Sequence, residues 1–215
     1  MITSREDYEF YLEADKIALN NIQNIPFLEK DLYPLKYFQD VYKFQRLLRK
    51  LEYYLNCKKS IFYKPLRVYL RWSFARLSQR LGFVIHPNVF GPGLSIAYPG
   101  SIIVNIDARV GENCRIHNNV HIATSTYFES SVPHIGDNVF IGPGAVIVGD
   151  IRIADNIRIG ANSFVNKSFL EEGITIAGAP ARKISDKDFD SCYRRSTEIL
   201  RARIQDQTAS SDIPD

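Results

Sequence analysis

The chain is poor in sulfur: among its 215 residues are three cysteines and one methionine. Cys57, Cys114 and Cys192 lie far apart, which supports neither a disulfide framework nor a zinc cluster. They read as reduced thiols of a cytoplasmic protein. No apolar run reaches the ~18 residues that a membrane span needs. The N-terminus, MITSREDYEFYLEADK, lacks the apolar core of a secretory signal. Neither sign of charge dominates, and a net +3 implies no partner by itself. The four histidines alternate with Asn and Val rather than pairing with carboxylates, so no metal site is read. What remains, 45% hydrophobic and 24% charged, is the balance of a substantial globular domain with or without an appendage.

What is there changes period near residue 83. Residues 1–82 read as an α-helical region. TSREDYEFYLEADKIALNN offers Thr3 or Ser4 as N-cap, with Glu6 and Asp7 in the first turn. Pro26 and Pro34 break the pattern. FQDVYKFQRLLRKLEYYLNCKKS then repeats apolar residues at helical spacing: Val41, Phe44, Leu47, Leu48, Leu51 and Leu55. PLRVYLRWSFARLSQRLG gives another helix, with Pro65 near its start and Gly82 as its stop. Between 41 and 80 stand eleven basic residues, Lys43 through Arg80, against the single acid Glu52. Two readings stay open for this run: a solvated helix face, or a surface for anionic lipid headgroups or an anionic substrate. No nucleic-acid motif accompanies it.

From residue 83 to about 184 the period is six. Aliphatic anchors recur at Val104, Val110, Ile116 and Ile122, then after a gap at Ile135, Ile141, Ile147, Ile153, Ile159 and Val165. Four residues after most anchors stands a second inward position: Ala108, Cys114, Val120, Val139, Ala145, Ile151, Ile157, Ser163. Gly111, Gly136, Gly142, Ala154 and Gly160 follow anchors directly and suit tight corners. Neither the helical nor the strand period fits; a sustained hexad predicts a β-helix whose anchors fill its interior. The gap holds ATSTYFESSVPH, so a loop leaves the coil there. Residues 185–215 form a tail that is part helical, and the polar end of its last stretch, RARIQDQTASSDIPD, is expected to be mobile. The helical half is placed to cover one open end of the coil and APARKISDKDFDSCYRRSTEIL the other.

IGDNVFIGPGAVIVGDIRIADNIRIGANSFVNKSF and ITIAGAPARKIS resemble the hexapeptide-repeat acyltransferases, specifically serine acetyltransferases and their subgroup in polysaccharide gene clusters. The resemblance covers about residues 83–185. It implies a left-handed parallel β-helix, a homotrimer or a dimer of trimers, and acetyl-CoA in the cleft between neighbouring subunits. It further implies transfer of acetyl to a hydroxyl, either of a sugar in a surface-polysaccharide precursor or of serine. A catalytically silent, CoA-binding scaffold is the alternative.

That alternative arises from two departures. In GLSIAYPGSIIVN the family's Asp-His pair, which orients and provides the general base, falls on Ala97 and Tyr98. A second family histidine falls on Val132, with His134 displaced from it. Tyrosine has a reference pKa of about 10, so only ~0.1% is phenolate near pH 7. It suits hydrogen bonding or stacking against an acceptor better than proton removal. With His86 read as structural, the candidate bases are His117 and His121. An eighteen-residue coil would set His117 about 5 Å from Tyr98 along the axis. His134 is placed on the loop, where it reaches toward a neighbour, and Tyr127 and Phe128 offer flat apolar surface to an acceptor. The resemblance assigns Gly142, Gly144, Gly160 and Ala161 to the pantetheine arm. Lys167, Arg182 and Lys183 are placed to meet CoA phosphates.

Overall fold

The computed structural model describes residues 1–20, 35–125, 131–186 and 195–211. Three helices come first: α1 (Arg5–Asn20), α2 (Leu35–Asn56) and α3 (Lys64–Leu81), with a short 3-10 turn, Ile61–Tyr63, leading into α3. Ser4, rather than Thr3, caps α1. Its hydroxyl accepts the Asp7 amide at 3.0 Å, and the Asp7 carboxylate accepts the Ser4 amide at 3.1 Å. α3 has a proline in its first turn and ends at Gly82, whose φ of 77° is left-handed. The expected breaks at Pro26 and Pro34 lie outside the described residues. In α2, Val41, Phe44 and Leu48 are buried and join the interior of the β region, which is how the helices cover one end of it.

That β region is a parallel β-helix of three sheets. The first stacks β1 (Phe83–Val84), β3 (Ile102–Val104), β6 (Val120–Ala123), β9 (Val146–Val148) and β12 (Phe164–Val165). The second stacks β4 (Arg109–Val110), β7 (His134–Ile135) and β10 (Arg152–Ile153). The third stacks β2 (Ser95–Ile96), β5 (Arg115–Ile116), β8 (Phe140–Ile141), β11 (Arg158–Ile159), β13 (Thr175–Gly178) and β14 (Ala181–Ser185). All ten anchors are no more than 5% exposed, and the second inward positions from Ala108 to Ser163 are buried with them. Anchors pair coil on coil, as in Ile96, Ile116, Ile141, Ile159 and Ile176 along the third sheet.

The coil spacing is not uniform. It is eighteen residues from Ile141 to Ile159 and twenty from Ile96 to Ile116. Tyr98 therefore does not stand level with residue 116; Ala97 is level with His117, and Tyr98 lies one residue further on. From Ile116 to Ile141 the spacing is twenty-five, which accommodates the loop between β6 and β7.

Asparagine turns the corners, a role the sequence reading gave to small residues. Asn88, Asn113, Asn138 and Asn156 all have positive φ, between 54° and 66°, a region Asn tolerates better than other side chains that carry a Cβ. The last three also bond to one another in a ladder. Asn113 Nδ2 donates to Asn138 Oδ1 at 2.9 Å, and Asn138 Nδ2 to Asn156 Oδ1 at 3.1 Å. The glycines after the anchors answer a different need. A Cβ on Gly142 would lie 2.8 Å from the Ala161 nitrogen of the next coil.

β14 pairs antiparallel with β13 and closes the last edge of the third sheet. Of the segment expected to cover that end, β14 does so and the helix that follows does not. That helix, α4 (Ser196–Ser211), returns to lie against α1. It is pinned at the Asn113 corner: Asn113 Oδ1 accepts from Ser196 Oγ at 2.9 Å and from the Thr197 amide at 3.1 Å. Residues 200–211 continue this helix, and the last residues of the polar end, 212–215, lie outside the described residues.

Buried charge seats the helices on the first coils. Arg49 is 0% exposed. It donates to Asp15 at 2.8 Å, to Glu52 at 3.0 Å, and to the carbonyls of Phe90 at 2.9 Å and Gly91 at 2.6 Å. Asp15 Oδ1 in turn accepts the amides of Gly93 and Leu94, both at 2.9 Å. Burial works against the guanidinium charge, but Asp15 and Glu52 outweigh it and raise the Arg49 pKa.

Candidate functional site

A β-helix offers chemistry through its outward columns, and here the three differ. The first sheet presents Val84, Ile103, His121, Val146 and Phe164 in register, apolar apart from the histidine. The second presents Arg109, His134 and Arg152. The third presents Ser95, Arg115, Phe140, Arg158 and Thr175.

The third sheet is where sequence-predicted residues come together. Ala97 is buried while Tyr98, beside it, is 50% exposed. The Pro99–Gly100 turn packs so closely on the next coil that a Cβ on Gly100 would lie 3.0 Å from the Asn118 Cβ. This sets Tyr98 against the coil that carries His117. The two rings meet edge to face with centroids 5.8 Å apart. His117 lies 5.1 Å from the Phe140 ring, over which the Arg158 guanidinium sits at 5.1 Å. Four coils thus contribute one strip: Tyr98, His117, Phe140, Arg158.

Burial, and after it the charge of Arg115, push the His117 imidazole down to about 4. It is uncharged at neutral pH. Its Nε2 is buried and without a hydrogen-bond partner among the described residues. A neutral imidazole with an unused nitrogen accepts a proton or donates a hydrogen bond according to its tautomer. A pKa of about 4 leaves it a weak driving force as a base.

Positions one past the anchors continue from His117 along the same sheet. They are Gly142 and Gly160, and then Ala177, paired with Arg182 on β14. Gly142 and Gly160 carry no side chain, and a Cβ on Gly160 would lie 2.8 Å from that of Ala177. Ala161 and Arg182 are exposed, and Gly144 is half-buried. Lys167 is exposed, its ammonium 5.3 Å over the Phe169 ring. Lys183 is held by Glu171 at 2.5 Å and by Asp186, which raise its pKa.

Other expected residues stand elsewhere. His121 lies on a different side of the coil from His117, within β6 between Ile103 and Val146. His134 is not on the loop. It is an exposed strand residue between Arg109 and Arg152, beside a recess of about 340 Å³. Val132, where the resemblance expects histidine, is buried at 6% exposure. Tyr127 and Phe128 lie outside the described residues. A second recess, of about 610 Å³, is lined by Thr124, Ser125, Asp150, Phe164 and Asn166 among others at the foot of the loop. No cluster of three or more metal-ligating side chains occurs among the described residues. Sequence reasoning missed Arg115, Phe140 and Arg158. The signal was available: each directly precedes an anchor and must face out where the anchor faces in.

Fold and repeat together define a hexapeptide-repeat β-helix protein, and residues 133–167 match the bacterial transferase hexapeptide family, six repeats. The particular likeness is to serine acetyltransferases. That of Synechococcus elongatus is 33% identical over 105 residues, 48% of this chain and 43% of its own length. The crystal structure of serine acetyltransferase from Brucella abortus in complex with coenzyme A superposes with a TM-score of 0.65 at 25% identity, covering 85% of this chain and 70% of that one. The enzyme of Neisseria gonorrhoeae, in complex with serine, gives 0.61 at 28% identity, covering 85% and 71%. The chain spans about half the length of the curated relatives it matches.

Proposed function

We propose that this chain transfers an acetyl group from acetyl-CoA to a hydroxyl, with transfer at the Tyr98–His117 end of the strip. The observation that carries this reading is the path from His117 past Gly142, Gly160 and Ala177 to Arg182. It crosses four strand spacings, about 19 Å, without a long side chain until the arginine, which suits an extended arm ending in phosphates. Gly144 and Ala161 border it, Lys167 adds a second cation, and Lys183 joins only by exchanging its carboxylate partners. The complex of the Brucella relative with coenzyme A supports the same donor.

Bound acetyl-CoA supplies the activated acyl carbon and leaves as the thiol. The His117 imidazole accepts the acceptor hydroxyl's proton and returns it to the departing sulfur, so no proton is lost overall. Tyr98 packs the acceptor against the imidazole and excludes water from it. Replacing a small charged base by an exposed aromatic ring turns the acceptor side toward a sugar, as in a surface-polysaccharide precursor, and away from serine. The apolar outward column of the first sheet suits burial against a neighbouring subunit of a homotrimer, which would bring His121 to the inter-subunit cleft. A second reading, a silent CoA-binding scaffold, rests on Tyr98, Val132 and the low basicity of His117.

The test is thiol release from acetyl-CoA with serine and with nucleotide- and lipid-linked sugars, for the chain itself, Tyr98→His and His117→Ala. Turnover with a sugar is expected, in a protein sedimenting at the mass of three chains, with kcat falling about 10²–10⁴-fold in His117→Ala. Turnover only by Tyr98→His would sink the transferase reading for this chain and leave the scaffold.

A further inference from the structure

α3 buries one face and leaves the other bare. Leu70, Ser78 and Leu81 are buried, and Phe74 and Leu77 pack on the core. On the opposite face Val68, Tyr69 and Trp72 are 60%, 60% and 58% exposed. The 3-10 turn before the helix extends this ridge with Ile61 at 69% and Phe62 at 88%. The ridge is held in shape. Arg67 donates to the carbonyls of Lys58 and Lys59 at 3.3 Å, tying the turn to the helix, and the Arg76 guanidinium sits 5.4 Å over the Trp72 ring. Single exposed apolar residues need no explanation, but a contiguous fixed ridge of them does.

Charge selects the occupant. Lys58, Lys59, Lys64, Arg67, Arg71 and Arg76 flank the ridge, and residues 53–106 contain no Asp or Glu. A second copy docking symmetrically would lay this cation set against itself without one carboxylate of its own segment to relieve it. A layer of anionic headgroups neutralises those cations, and its boundary with the acyl chains takes Phe, Tyr, Trp and Val side chains. We propose that the turn Ile61–Tyr63 and α3 lie flat in the headgroup region of an anionic bilayer and hold the β-helix at its surface. No helix among the described residues is long and apolar enough to cross a membrane, and the proposal requires none. It stands apart from the acetyl-transfer reading and is tested without acceptor or acetyl-CoA.

Trp72 is the only tryptophan, so its emission reports on this face alone. The full chain is mixed with vesicles of equal parts phosphatidylglycerol and phosphatidylcholine, and with phosphatidylcholine vesicles. Expected are cosedimentation with the anionic vesicles only, a blue shift of Trp72 emission, and release at 1 M salt, where the screening length is ~3 Å. Phe62→Asp with Val68→Asp, both at exposed positions, should weaken vesicle binding about tenfold or more while leaving the circular dichroism unchanged. Three results would each overturn the proposal. One is Trp72 emission indifferent to anionic vesicles. Another is undiminished binding by the double variant. The third is emission already blue-shifted without lipid and relaxing on dilution, which would mean that another copy of the chain covers the face.

Discussion

The two regions of this molecule are held by opposite physical means. Within the β-helix, coil meets coil through repeated aliphatic residues, Ile on Ile along the third sheet, with no charged side chain inside among the described residues. Where the helices meet the first coils, the contact is centred on a fully buried arginine whose donors are taken by two carboxylates and two carbonyls. Stacked aliphatic anchors tolerate any neighbour of similar shape and so build a repeating interior. A buried ion cluster tolerates only one arrangement, since each charge left without its partner keeps its full desolvation cost. The β-helix supplies extent, and the junction fixes how the helices sit on it.

Breaking the junction should therefore give the largest effect. Arg49→Ala leaves Asp15 and Glu52 buried and unpaired, and should cost about 3–5 kcal/mol in urea unfolding. Ile141→Val, inside the coil, should cost only about 0.5–1.5 kcal/mol. Equal losses from the two would show that the contrast between charge and aliphatic stacking is not energetic.

The same contrast governs what could be read from sequence. The hexad predicted the anchors from Val104 to Val165 and their inward companions, because a period of six encodes position directly. Arg49 looked like one more member of a basic run, and nothing in the sequence pairs it with Asp15, thirty-four residues away. In the candidate site, Tyr98 and His117 were legible from the resemblance. Their proximity was expected as well, but the offset between them follows from a first coil of twenty residues, which the repeat conceals. His134 was placed on the loop, because a side is only six residues long and the inserted loop obscures where the next one begins. The helix that follows β14 was misplaced because the hydrogen bonds of Asn113 with Ser196 and Thr197 obey no period.

The asparagine corners sharpen the comparison at intermediate size, since they add a polar ladder to an otherwise apolar stack. Asn138→Ala removes the bonds to Asn113 and Asn156 and leaves a Cβ at a φ of 57°. A loss of about 1–2 kcal/mol is expected. Asn138→Gly loses the same bonds but accepts the left-handed backbone, and should cost less than Ala. If glycine proves as costly as alanine, the ladder rather than the backbone conformation is what asparagine supplies at these corners.

The smallest effect concerns the one polar group that the strip half-buries without a partner. The folded-state pKa of His117 is about 4, below its ordinary value of 6.5. Between those values the unfolded chain binds the proton and the folded chain does not. This group's contribution is therefore fully present above pH 6.5 and is lost as the pH falls toward 4. Other groups titrate in the same window, so the informative quantity is a difference. His117→Asn, which carries no titrating proton, should unfold with a shallower pH dependence over that range than the parent chain. Its stability at neutral pH should change little, because the partial exposure of His117 limits what its burial is worth. A slope unchanged by the substitution would mean that the imidazole is solvated and charges normally in the folded protein. The strip would then hold a histidine of ordinary basicity, better suited to take a proton from an acceptor hydroxyl than the one drawn here, and the case for a silent scaffold would lose one of its three supports.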